Sequence, residues 1–165
     1  MMNSSIIKIF EKTFREIFTY IALDNKFMCE VPASSMDSSE RLNILVSISG
    51  DMEGNIMFGY TEEIAKALVA KMQGVTNVET IDLFAKGAMV DFFSEFCKLF
   101  IKNLLKESAF KAAADPMETK INNLLSSNPI YIAGEDMYGV ISKVPSKKLF
   151  FKVNGEKFSI AYYLE

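Results

Sequence analysis

Residues 80–106 read TIDLFAKGAMVDFFSEFCKLFIKNLLK, and this stretch decides the fold. Leu83, Phe84, Met89, Phe92, Phe93, Phe96, Leu99, Phe100, Ile101, Leu104 and Leu105 make nearly every position apolar or small. On a helical wheel of about 100° per residue, the exceptions Gly87, Asp91, Ser94, Glu95, Lys98, Lys102 and Lys106 share roughly one 100° arc. The spacing predicts a helix that is wet along one narrow stripe and turns every other residue inward. Such a helix must be covered on most sides by sheet and by other helices, and each buried Phe contributes on the order of 1.5 to 3 kcal/mol.

The flanking sequence supplies the cover. Upstream, Ile6, Ile7, Phe10, Phe14, Ile17, Phe18 and Ile21 recur at helical spacing behind a cap at Asn3 or Ser4, which predicts an amphipathic first helix. Residues 27–31 read as a short strand and 32–40, rich in Ser and Asp, as an exposed loop. Residues 43–49 and 55–60 form a predicted hairpin around Gly50-Asp51-Met52-Glu53-Gly54. This turn lacks the glycine pattern of a phosphate-binding loop and reads as a plain turn. Thr61 then caps a helix with Glu62 and Glu63 in its first turn, ending at Gly74.

Downstream of the long helix, residues 107–115 read as a polar or alanine-rich exit, with a break at Asp115-Pro116. Residues 117–125 fit either a short helix or a strand. Strands are predicted at 130–133, 138–144, 148–153 and 157–163, the last two flanking Asn154-Gly155, a strong hairpin signal. Antiparallel hairpins with clustered helices predict one α+β domain over residues 1–165, a mostly antiparallel sheet with the long helix and the others packed on one face.

Composition narrows the chemistry. The chain has 165 residues, half of them apolar, and a formal net charge of -3, enough for one sizeable core. Its mild acidity is dispersed, so neither nucleic acid nor an anionic membrane is an expected partner. Charged residues interrupt every apolar run and Lys8, Glu11 and Lys12 break the N-terminus; no membrane span or signal peptide is expected, and the cytoplasm is the expected compartment. Histidine is absent, which excludes Ser-His-Asp triads, Cys-His pairs, His-ligated zinc and imidazole acid-base work. No Walker loop or dinucleotide fingerprint occurs. Cys29 and Cys97 are expected to be ordinary packing thiols.

Four segments in order, Ile48-Ser49-Gly50-Asp51-Met52-Glu53-Gly54-Asn55-Ile56, the helix over 61–74, Asp91-x3-Glu95, and Asn128-Pro129-Ile130-Tyr131-Ile132-Ala133-Gly134, resemble the CheX branch of the CheC/CheX/FliY chemotaxis phosphatases. The resemblance covers nearly the whole chain. In that family the long helix presents Asp or Ser, then Glu, then Asn to a phosphorylated CheY-type receiver. The resemblance implies that Asp91 and Glu95 occupy the first two places. It implies that Glu95 docks the receiver through a lysine, that the Asn orients the attacking water, and that the chain needs no cofactor because Mg2+ belongs to the receiver. It also implies a homodimer paired through the sheets, for which residues 158–163 would offer an unpaired strand edge.

The pattern then departs. Lys98 stands at the family's Asn and Lys102 at its small Gly. An Asn amide both accepts from and donates to a water, whereas a Lys ammonium only donates. The segment between the long helix and Pro129 is also longer than in the family, implying a different lid. The expectation is weak or absent phosphatase activity by the family route. Two readings stand. One is a CheX-like aspartyl-phosphate phosphatase that docks through Glu95 with an unorthodox water-positioning group. The other is a non-catalytic module that uses Asp91, Glu95, Lys98 and Lys102 to bind a receiver or another signalling protein, and Lys98 favours it. Spacing alone allows a third, a merely solvated stripe whose i,i+3 and i,i+4 pairs are worth about 0.2 to 0.5 kcal/mol each.

Overall fold

The computed structural model describes residues 2–32, 42–133 and 147–165. The first helix, α1 (Met2–Tyr20), sends Phe10, Phe14 and Phe18 inward at helical spacing, each almost completely buried. Asn3 and Ser4, expected as its cap, lie inside it because the helix begins at Met2. Next come β1 (Asn25–Pro32), β2 (Leu42–Gly50) and β3 (Gly54–Tyr60). Thr61 then starts α2 (Glu62–Gln73), its Oγ1 accepting the Ile64 N–H at 3.3 Å. The helix ends on Gly74, whose φ of 67° is the left-handed conformation that glycine adopts without a Cβ penalty.

The long helix is α3 (Leu83–Ala114), capped by Asp82 Oδ1 accepting the Ala85 N–H at 2.8 Å. It runs two turns past the predicted end. Residues 107–114, expected as an exit, are helical because Ala109, Ala112, Ala113 and Ala114 favour helix intrinsically. Asp115 is extended ahead of Pro116, as the residue before a proline prefers. Residues 117–123 are irregular, and β4 (Leu124–Ser126), β5 (Ile130–Ala133), β6 (Lys147–Val153) and β7 (Glu156–Leu164) complete the fold. Asn154 and Gly155 turn the last hairpin with φ of 49° and 80°. Of the loop expected over 32–40, Pro32 instead closes β1, and residues 33–40, like the strand expected over 138–144, lie outside the described residues.

All described strand pairs are antiparallel, in the order β1-β6-β7-β3-β2-β4, with β5 also on β2. The α+β expectation therefore holds. Alternation aims Ile44, Val46, Ile48, Ile56, Phe58, Tyr60, Phe158 and Ile160 at the helices, and all are buried. The layers join through stacked rings: Phe10 and Phe100 lie 4.2 Å apart between helices, Phe14 and Phe151 3.9 Å, and Phe58 and Phe93 4.4 Å between helix and sheet.

Three expectations are corrected. The run 158–163 is no edge, because β7 is paired on one side with β6 and on the other with β3; among the described strands the sheet ends at β4 and, on its other side, at β1. Cys29 is exposed on that border strand, so of the two thiols only Cys97 packs in the core, where burial pushes its pKa up to about 12. Finally, Leu83 and Phe84 do not point inward: they are 86% and 74% exposed.

The turn around Gly50 and Gly54 has a structural explanation. A Cβ on Gly50 would fall 2.3 Å from the Asn123 carbonyl oxygen, and one on Gly54 1.8 Å from that of Tyr163. Both glycines thus admit a neighbouring backbone. Between them Asp51 Oδ2 accepts N–H bonds from Asn122 at 2.8 Å and Asn123 at 3.0 Å, which hold its carboxyl below the ordinary value of 3.8.

Candidate functional site

The wet face of α3 is where the sequence placed it. Gly87, Asp91, Glu95, Lys98 and Lys102 are all exposed, while Met89, Phe92, Phe93, Phe96, Cys97 and Phe100 on the same helix are buried. The division follows from the helical period: 91, 95, 98 and 102 advance by four, three and four residues and stay on one side. The opposite faces carry the rings that stack on α1 and the sheet.

Along this stripe the charges are ordered. Asp91 and Glu95 lie toward the N-terminal end of the helix, Lys98, Lys102 and Lys106 toward its C-terminal end. Lys98 Nζ donates to Glu95 Oε1 at 2.7 Å, with the two side chains 63% and 65% exposed. A pair this open to solvent is held loosely and exchanges readily for an intermolecular partner. Asp91 and Lys102 make no ion pair among the described residues. No group of three or more potential metal ligands is present among the described residues. The stripe therefore offers carboxylate acceptors at one end and ammonium donors at the other.

Two features escaped the sequence. Leu83 and Phe84 extend the stripe with apolar side chains, lining an open groove with Asp82, Gly87, Ala88 and Asp91. They directly follow the capping Asp82 and precede the buried Ala85; that position behind a cap was the available signal. The second feature is Asn103, polar and 7% exposed in the core run. Its Nδ2 donates to Thr13 Oγ1 at 3.0 Å and approaches Glu16 Oε2 at 3.4 Å, tying α3 to α1. A lone Asn among leucines and phenylalanines was its trace in the sequence.

A smaller concavity lies away from the stripe. A cavity of about 60 Å3 between α1, α3 and the segment after α3 is lined by Ile6, Ile9, Met52, Leu104, Ser108 and Ile121, among others, and is too small for more than a few waters. Its Ser108 hydroxyl accepts the Ile121 N–H at 2.7 Å, anchoring the chain as it returns to the sheet. Among the described residues no helix is long and apolar enough to cross a membrane.

No protein-family model matches the chain, and no curated protein does. Solved structures do. The chemotaxis protein CheX from Vibrio vulnificus superposes with a TM-score of 0.72 at 12% identity, over 98% of this chain and 99% of that one. CheX from Desulfovibrio desulfuricans does so at 0.65 and 19% identity, over 98% and 99%. The CheX-CheY-BeF3-Mg2+ complex from Borrelia burgdorferi gives 0.68 at 15% identity, over 96% and 97%. The resemblance inferred from the ordered segments thus meets a shared architecture over nearly the full length: the chain has a CheX-like fold.

Proposed function

We propose that this chain is a cytoplasmic CheX-like signalling domain, spanning residues 1–165 and acting as a homodimer, that docks a phosphorylated CheY-type receiver with Asp91, Glu95, Lys98 and Lys102. On this reading it hydrolyses the receiver's aspartyl phosphate weakly or not at all. The observation that carries it is the exposed Glu95–Lys98 pair on the long helix of a CheX-like fold. Glu95 is free to exchange Lys98 for a lysine of the partner. The neighbouring structure of CheX in complex with CheY supports a receiver as the class of partner.

The chemistry turns on one atom type. Hydrolysis requires a water held in line with phosphorus, with its lone pair directed at it. Lys98 Nζ has no lone pair when charged and cannot accept the water's proton in a hydrogen bond. It can only donate, to a phosphoryl oxygen or to a carboxylate of the receiver. Positive charge there stabilises the bound phosphorylated state without supplying a base or an orienting acceptor. Lys102, one turn on, adds a second cation on the same face.

The test is to mix the chain with its phosphorylated receiver and follow phosphate release and complex formation together. Binding without acceleration over spontaneous decay is the expected result. Clear acceleration would establish the active phosphatase instead, and absence of any complex would turn attention to another signalling partner. Size-exclusion chromatography with light scattering checks the dimer, and a monomer at micromolar concentration would remove it.

A further inference from the structure

Gly87 is the fifth residue of α3, on the exposed face, and among the described residues nothing requires a glycine there. Among the described residues a Cβ built on it meets no atom within 4 Å, and its φ lies outside the positive region. The contrast with Gly50 and Gly54 is sharp, since a neighbouring backbone excludes any side chain at both. A glycine inside a helix weakens it, so one that its own fold does not use needs an external reason. The same turn carries a second feature without an internal reason: Leu83 and Phe84 stand side by side in solvent, 86% and 74% exposed.

These residues belong to one surface. Positions 84, 87, 88 and 91 are spaced by three, one and three residues, which places them on one helical face, and Asp91 continues that face into Glu95 and Lys98. The groove is lined by Phe84, Gly87, Ala88 and Asp91 together with Asp82 and Leu83. The charged stripe by itself is a poor source of affinity, because solvent-exposed ion pairs are screened and individually weak. An interface gains its strength from desolvated apolar side chains ringed by polar ones.

We infer that Leu83, Phe84 and Gly87 form the apolar half of the receiver-docking surface: Phe84 and Leu83 are its anchors, and the bare helix backbone at Gly87 admits a close approach by the partner. This rests on the docking role proposed above. The receiver is the occupant because the groove is lined at one end by Asp91, one turn before Glu95 on the same exposed face, and these carboxylates call for a basic group on the partner beside its apolar contact.

The experiment measures the affinity of the full chain for its CheY-type receiver loaded with BeF3 and Mg2+, by calorimetry, alongside thermal unfolding. Phe84→Ala is expected to weaken binding tenfold or more, with an unchanged melting temperature. Gly87→Ala is expected to raise the melting temperature by about 2–4 °C and still weaken binding, a combination that a purely structural glycine cannot produce. Wild-type affinity in both variants, with Glu95→Ala impaired, would overturn this inference and leave the docking role standing. Conversion of a dimer to a monomer by Phe84→Ala, with receiver binding intact, would overturn it in favour of a second copy as occupant. No binding by the wild-type chain would remove the docking role and the inference together.

Discussion

The two sides of α3 share one backbone and obey different rules. Toward the sheet, Phe93 is fully buried, stacked 4.4 Å from Phe58 and in edge contact with Phe92 at 5.1 Å. Toward solvent, Glu95 and Lys98 hold each other at 2.7 Å with most of their surface in water. The distances suggest comparable intimacy, yet the energies differ by about an order of magnitude: ~3–5 kcal/mol for removing a buried aromatic against ~0.2–0.5 kcal/mol for an exposed i,i+3 pair. Geometry alone therefore does not rank the contacts; desolvation does. A face that contributes little to stability is free to change its chemistry without endangering the fold.

The largest effect that can break this contrast is Phe93→Ala. It should cost about 3–5 kcal/mol in urea unfolding, because the ring leaves a cavity between α3 and β3 that rigid neighbours fill only in part. A loss below ~1 kcal/mol would mean that the core side of α3 is less well packed than its rings suggest. Next comes Asn103→Ala, expected to cost about 1–3 kcal/mol by stranding the buried Thr13 hydroxyl. Unfolding monitored by circular dichroism measures it, and a neutral result would show the α1–α3 polar tie to be dispensable.

Asp51 sharpens the contrast from the loop side, being exposed yet hydrogen-bonded to two backbone N–H groups. Its folded pKa lies below 3.8, so its contribution to stability is complete above that value and is lost as pH falls through the folded pKa. The urea midpoint of the wild type should exceed that of Asp51→Asn near neutrality, and the difference should shrink as the pH drops below 3.8. A gap independent of pH would show that the carboxylate charge is not what holds the turn to residues 122 and 123. The smallest effect is Lys98→Asn, within about 0.5 kcal/mol of wild-type stability by the same unfolding measurement. Phosphate release from the phosphorylated receiver then reports function separately: a gain would show that the water-positioning geometry survives around residue 98. No gain with binding preserved would place the divergence deeper.

Much of this was legible in the chain. The alternation of Ile44, Val46 and Ile48, the Asn154-Gly155 turn, and the Thr61 and Gly74 boundaries of α2 are local signals, because a strand's period, a left-handed turn and a cap each depend on a few adjacent residues. So was the stripe of Asp91, Glu95, Lys98 and Lys102, since a helix with a single polar arc has only one face it can show to water. The errors came where neighbours in space, not in sequence, decide. Residues 158–163 looked like an edge, but β7 received partners from 147–153 and 54–60. Cys29 looked like a core thiol and lies on the border strand.

The sequence by itself determined the helical period of residues 80–106, the single polar arc on it, the hairpins, and the absence of any imidazole chemistry, because each is a property of residue identity and short-range spacing. Only the tertiary structure decided that Leu83 and Phe84 stand in solvent, that Asn103 is buried against Thr13, and that Gly87 opens onto empty space while Gly54 faces a carbonyl. Burial is a relation between distant segments. An apolar residue becomes core only where another layer reaches it, and in the first turn of α3 Ala85 is so covered while Leu83 and Phe84 are not.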